Sequence, residues 1–370
     1  MNLLSRIGVI VLAAAIGGCS NNSHTPPPPS ASPAASPQRG DLIDNPPNKT
    51  ASYAPSDLLQ LLSGSDLGKT FLQLAYTPKC TITVYHLTYQ TVDPQGAITP
   101  ASAALMVPSS SSDTDCNGSR PIVLYAHGTT TDRNFNLAQL DAADSAEGVL
   151  LAAVFAAEGY IVLAPNYLGY DNSTLGYHTY LIADQQSKEM IDAVTAARAA
   201  LPTSDVPGST DGGKLFITGY SEGGYVAMAT HSAMQTAGMT VTASAPMSGP
   251  YTLSAFGDAV FEGQVNASGP LNVALLVPGY QSVYGDIYSN PAEVFAGPYA
   301  ASIPGLLPST TALGTLRSQG KFPSVLFSRP RPLPATRSIP RLPRPQISRL
   351  SLRLDSARTI SSLTTTGRPI

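Results

Sequence analysis

The chain has 370 residues, 12% of them charged, and a net charge of -3. That length is enough for one large α/β domain with a sizeable core. A sparse and slightly acidic charge excludes a nucleic-acid-binding role, which needs a basic face.

The first residues, Met1 to Cys19, hold one basic residue (Arg6), an apolar run from Ile7 to Ile16, and then Ile16-Gly17-Gly18-Cys19. This layout is that of a secretory signal, too short to span a membrane as a helix. It resembles the lipobox of bacterial lipoproteins, which implies lipidation of Cys19 after residues 1–19 have served as the signal. The same resemblance implies an outer-membrane destination, because Ser20 and not an aspartate follows the cysteine. An ordinary secretory signal is the other reading, and both predict export. Residues 20–54 are rich in Pro, Ser, Asn and Ala, including Pro26-Pro27-Pro28-Pro29. Such a segment has too little apolar surface to bury, so a disordered tether is expected there.

A folded domain is expected over residues 55–328, opening with a short helix that carries Leu58, Leu59, Leu61 and Leu62. Alternation from Cys80 to Tyr85 predicts a strand, Asp93-Pro94-Gln95-Gly96 a turn, and Ala101 to Val107 the next strand, so the opening is antiparallel. The nearly continuous apolar run Pro121 to Ala126 suits a central strand covered on both faces. Helices about Ala146 to Ala157 and Ser187 to Ala200 then alternate with strands at Tyr160 to Ala164, Lys214 to Thr218 and Thr240 to Ala245. This alternation predicts an α/β fold with a mainly parallel sheet, helices on both faces and a site at the strands' C-terminal ends. Residues 250–315 read as a cap or lid. With Cys19 lipidated, Cys80 and Cys116 form an even pair in an oxidising compartment, and a disulfide between them is expected. Two unpaired buried cysteines are the other arrangement, since sequence does not give their separation.

The strand Lys214 to Thr218 runs into Gly219-Tyr220-Ser221-Glu222-Gly223, and a helix-forming stretch follows. Strand, sharp turn and helix make this G-x-S-x-G match a nucleophile elbow with Ser221 as nucleophile. Serine hydrolysis of an ester also needs a base, an acid that orients it, and backbone donors for the oxyanion. The donors are expected to be the N–H of Glu222 and that of Thr129 in His127-Gly128-Thr129-Thr130, with Gly128 letting that backbone approach the substrate. His127 is expected to brace the loop. The reaction calls for neither cofactor nor metal.

His127-Gly128-Thr129, then Ala164-Pro165-Asn166-Tyr167-Leu168-Gly169-Tyr170 with His178-Thr179-Tyr180-Leu181, then Gly219-Tyr220-Ser221-Glu222-Gly223-Gly224, resemble the α/β-hydrolases of the secretory lipase and esterase group. The similarity runs from about Cys80 to Ser328. It implies an α/β-hydrolase fold in which Ser221 attacks an acyl ester, with a small-molecule ester or lipid as substrate and no cofactor. Asn166 stands where such proteins commonly carry an acid. His178 and Asp171 are expected to tie their loop down.

The resemblance also implies a catalytic acid and then a histidine, both after Ser221. Of the five histidines, His24, His86, His127, His178 and His231, only His231 follows it, along the helix that leaves the elbow. A helical turn rises about 5.4 Å, which carries His231 away from the serine. Acid and base therefore have no candidate. Residues 329–370 hold nine arginines, no lysine, seven prolines and Asp355 as the single acid, in a chain that is otherwise acidic. Arg329-Pro330-Arg331-Pro332-Leu333-Pro334 admits neither strand nor helix. A reading-frame shift near Phe327 or Ser328 is expected to have replaced the last strands; a natural basic tail suited to anionic lipid is the alternative. The resulting expectation is an exported, lipid-anchored ester hydrolase impaired by a missing base. The rivals are an inactive surface lipoprotein or binding module and a serine peptidase of the same fold.

Overall fold

A computed structural model describes residues 36–323, apart from 65, 74–76, 143–144, 202–205, 207, 262–267 and 296. Cys19, residues 20–35 of the expected tether and the 329–370 tail lie outside the described residues. The described elements are β1 (Asn48–Tyr53), α1 (Pro55–Ser63), α2 (Asp66–Gln73), β2 (Thr81–Val92), β3 (Ile98–Ser109), β4 (Gly118–Ala126), α3 (Ala146–Val154) and β5 (Ile161–Pro165). They continue as α4 (Ala183–Ala200), β6 (Ser209–Tyr220), α5 (Glu222–Thr236), β7 (Ala243–Met247), α6 (Leu253–Phe261), α7 (Gly269–Tyr284) and α8 (Leu313–Ser318).

The strands form one sheet in the order β1-β2-β3-β5-β4-β6-β7. β1, β2, β3 and β5 pair antiparallel in turn, and β5, β4, β6 and β7 run parallel. The turn between β2 and β3 is held by Asp93, whose Oδ1 accepts the N–H groups of Gln95 and Ala97, both at 2.9 Å. In the parallel half the chain first steps from β4 to β5 and then crosses back over β4 to β6. Right-handed crossovers then place α3 on one face and α4 and α5 on the other. The packing agrees: α3 lies against α1, and α4 against α5. The reversal makes the C-terminal ends of β4 and β6 the switch point of the sheet, where an α/β site is expected. Residues of β3 and β5 are buried almost throughout, as two-sided coverage requires.

The ordered part begins earlier than residue 55. Gly40 N–H donates to Gln90 O, Leu42 bridges to Tyr89, and β1 pairs with β2 from Asn48 to Tyr53. The tether boundary at residue 54 is thus too late. β1 offers little apolar surface; it is held by backbone pairing and by Thr50 Oγ1, which lies 3.1 Å from Val84 O and 2.9 Å from Ala138 O. The described residues of 250–315 fold as α6, α7, short 3-10 turns and the start of α8. Their far end returns to the loop after β4, where Ser309 N–H donates to Thr131 O at 2.8 Å and Arg133 N–H to Ser309 O at 3.0 Å. Among the described residues no helix is long and apolar enough to cross a membrane.

Cys80 and Cys116 form a disulfide that joins the start of β2 to the loop before β4, across 36 residues of chain. Closing a loop of that length restricts the unfolded chain by about 3–4 kcal/mol. The Cys80→Ala/Cys116→Ala variant should lose about that much stability in urea denaturation; an unchanged midpoint would contradict it.

Candidate active site

Ser221 stands between the last residue of β6 and the first of α5. Its backbone lies at φ 58° and ψ -120°, where a residue with a side chain is strained. Contacts on both sides hold it there. Ser221 N–H donates to Met247 O at 3.0 Å, and its carbonyl accepts from Gly224 and Tyr225 N–H at 3.0 and 3.3 Å. The elbow crowds the end of β4 so closely that a Cβ on Gly219 would stand 2.5 Å from Ala126 O. A Cβ on Gly223 would run into the same oxygen and stand 2.7 Å from His127 O. Only glycine fits at either position.

A cavity of about 350 Å³ opens at Ser221, with Thr129, Tyr180, Glu222, Ser248 and Asn272 among its walls. Glu222 is the first residue of α5, so its N–H has no intrahelical acceptor, and the helix N-terminus favours negative charge there. Thr129 comes from the loop after β4, brought alongside the elbow by the pairing of Ala126 with Gly219. The structure thus brings Ser221, Glu222 and Thr129 to one cavity. Gly128 N–H donates to Glu147 Oε1 at 3.1 Å, a contact that fixes the loop, and Gly128 itself is not among the residues lining this cavity.

The Glu222 side chain turns inward. Its Oε1 lies 2.6 Å from His178 Nε2 and accepts from Gln186 Nε2 at 2.8 Å. His178 Nδ1 donates to Leu168 O at 2.8 Å, so the buried imidazole joins the segment after β5 to the head of α5. Burial by itself depresses the His178 pKa, but the adjoining Glu222 carboxylate outweighs it and the value lies above the ordinary 6.5. Glu189 completes the clamp, with Oε2 accepting Leu168 N–H at 2.8 Å and Oε1 accepting from Gln185 Nε2 at 3.1 Å. Burial pushes its carboxyl up to about 7, against the opposing pull of the Leu168 N–H and of His178.

The remaining histidines are also engaged. The His127 ring nitrogens lie 2.7 Å from Gly128 O and 3.1 Å from Asn166 O, and the ring stacks on Tyr167. His86 Nε2 lies 2.6 Å from Asp171 Oδ2, which also accepts from Ser102 Oγ at 2.6 Å. His231 Nδ1 lies 2.8 Å from Ser244 Oγ. Asn166 is fully buried, accepting Leu137 N–H at 2.9 Å and donating to Ser102 Oγ at 2.9 Å. Asp171 and His178 therefore both anchor the loop between β5 and α4.

Asn272, Ser248 and Glu147 were not singled out from the sequence, and Tyr180 stood there only within the His178-Thr179-Tyr180-Leu181 motif, without a role. Tyr180 Oη lies 3.1 Å from Thr129 Oγ1 and donates to Asn272 Oδ1 at 3.4 Å, while Glu147 accepts from Tyr125 Oη at 2.6 Å. A local signal existed for none of them, because each partner is distant in sequence. Strain does mark the region: among the described residues, the non-glycine residues with positive φ are Tyr167, Asp171, Leu181, Ser221 and Ser248. Ser221 and Ser248 line the cavity and the others belong to the segment between β5 and α4, the clustering expected of a functional site.

A mainly parallel mixed sheet with a strained serine at its switch point defines an α/β-hydrolase, and the chain belongs to that superfamily. Among solved structures, the rice cell wall degrading esterase LipA from Xanthomonas oryzae is 29% identical to it over 78% of this chain and 71% of that one, with a TM-score of 0.66. A point mutant of the same esterase is 30% identical over the same shares, with a TM-score of 0.65. A protein from Legionella pneumophila at 21% identity, covering 86% of this chain and 78% of its own, shares the fold with a TM-score of 0.66. Residues 150–266 match the prolyl oligopeptidase family. No curated protein matches the sequence.

Two outcomes follow from this geometry. Gly223→Ala should cost about 1–3 kcal/mol in denaturant unfolding, because the added carbon meets carbonyls of β4 and the loop after it; no loss would contradict the close approach. Glu189 has a folded pKa above its ordinary 4.5, so the folded state keeps a proton that the unfolded chain has released, as His178 does above 6.5. For Glu189 that stability is complete below about 4.5 and is lost as pH rises through about 7. Calorimetry should show Tm falling by several degrees from pH 5 to pH 8, with a shallower fall in Glu189→Gln. A Tm that rises over this window would contradict the clamp.

Proposed function

We propose that this chain is a serine carboxylic-ester hydrolase in which Ser221 forms an acyl-enzyme and the N–H groups of Glu222 and Thr129 stabilise the oxyanion. The observation that carries this reading is the strained Ser221 backbone at the head of α5, beside the Thr129 loop and facing the cavity. The similarity to LipA, which is an esterase, supports the ester as substrate class. A serine needs a base to attack efficiently, and the four described histidines all hold other partners. Ester turnover is therefore expected at a residual level, the oxyanion site acting alone while loss of a triad base costs several orders of magnitude.

Two further elements belong to the same proposal. The signal-like N-terminus would carry the domain out of the cytoplasm and anchor it by lipid at Cys19. The composition break after Ser328 would be a shifted reading frame, which resequencing of the locus decides. A second reading, a serine peptidase, is favoured by the match of residues 150–266 to the prolyl oligopeptidase family.

An alkyl fluorophosphonate tests the nucleophile. Intact-mass analysis should show one adduct, on Ser221, that is absent from Ser221→Ala. No adduct after prolonged exposure would leave a binding protein in place of an enzyme. Residual cleavage of p-nitrophenyl esters without cleavage of aminoacyl amides separates the esterase from the peptidase.

A further inference from the structure

Beside the Ser221 cavity lies a second, much smaller recess of about 20 Å³ between α6 and α7. Tyr180, Phe256 and Asn272 wall both spaces, so the recess adjoins the site directly. Apart from the polar ends of Tyr180 and Asn272 its walls are apolar, including Leu253, Val260 and Leu276. Both polar ends are engaged: Tyr180 Oη lies 3.1 Å from Thr129 Oγ1 and donates to Asn272 Oδ1. The space can therefore reward apolar atoms and little else.

Resting on the ester-hydrolase reading above, we infer that this recess is the acyl-end subsite and that it limits the substrate to esters of short-chain acids, acetyl to propionyl. Two observations carry the inference. The first is position. Tyr180 contacts Thr129, an oxyanion donor of the proposed mechanism, so a carbonyl held there has the recess on its Tyr180 side. The leaving alcohol has to depart before water can attack the acyl-enzyme, and the large cavity gives it room. The acyl group stays bonded to Ser221 Oγ through that step, and a small apolar recess suits it. The second is size. The recess offers about 20 Å³ against about 350 Å³ in the main cavity, so a short acyl chain fits within it while an octanoyl chain has to run out of its mouth.

Gly257 on α6 and Leu276 on α7 both wall the recess, so its volume can be changed in either direction. In the full chain, the Ser221-dependent release of p-nitrophenolate from the acetate ester should exceed that from the octanoate ester by at least about tenfold. Leu276→Ala should shrink that ratio, and Gly257→Leu should slow the acetate and propionate esters. A preference for octanoate, or a ratio unmoved by both variants, overturns the assignment. The recess can be tested without chemistry by saturation-transfer NMR on Ser221→Ala with ethyl propionate. Transfer to the propionyl methyl that disappears in Ser221→Ala/Gly257→Leu supports the subsite even if no ester acylates Ser221. Absence of transfer to that methyl, or transfer unchanged by Gly257→Leu, rejects it even if the serine is reactive.

Discussion

Everything at the site depends on how closely β6 is held to β4. The register that pairs Ala126 with Gly219 ends both strands at the same height, and the chain then leaves β6 through a turn that has no room for a side chain at Gly219 or Gly223. Backbone strain at Ser221 follows from that crowding, since the chain must reverse into α5 within one residue. The same closeness puts the loop after β4 beside the head of α5. A single steric constraint thus produces the strained Ser221 and brings Thr129 and the head of α5 to the same cavity.

The second support is electrostatic and lies beneath the first. Glu222 lines the cavity at the head of α5 while its carboxylate is drawn inward by His178 and Gln186, and Glu189 grips Leu168 N–H on the same segment. Burying two carboxyl groups is costly; Glu189 is met by donors on both oxygens and Glu222 by two donors on Oε1. What the clamp contributes is position. The residue that follows the nucleophile cannot turn without breaking contacts to the segment between β5 and α4. Glu147 does the corresponding work for the other donor loop through Tyr125 and Gly128 N–H.

Local features were legible in the sequence, and long-range partners were not. The elbow could be read because its strand, glycines and helix are contiguous, and the parallel core because two-sided burial demands unbroken apolar runs such as Pro121 to Ala126. His178 could be placed in a loop-holding role, but its partner Glu222 is 44 residues away and nothing near either residue signals the pair. β1 escaped notice for a similar reason: Asn48 to Tyr53 is polar, and its order comes from the backbone of β2. The bond from Gly128 N–H to the carboxylate of Glu147 on α3 was equally hidden, because the two residues are 19 positions apart.

The proposed site joins a nucleophile and two oxyanion donors, and among the described residues no histidine is free to act as their base. Chemical rescue probes that combination directly: Ser221-dependent ester hydrolysis measured against added imidazole, with Ser221→Ala subtracted. A rate that starts low and rises to saturation with imidazole is the predicted result. Turnover at about 10⁴ M⁻¹s⁻¹ or more in kcat/KM without imidazole would contradict the missing base. A rate indistinguishable from Ser221→Ala at every imidazole concentration would contradict the prepared nucleophile.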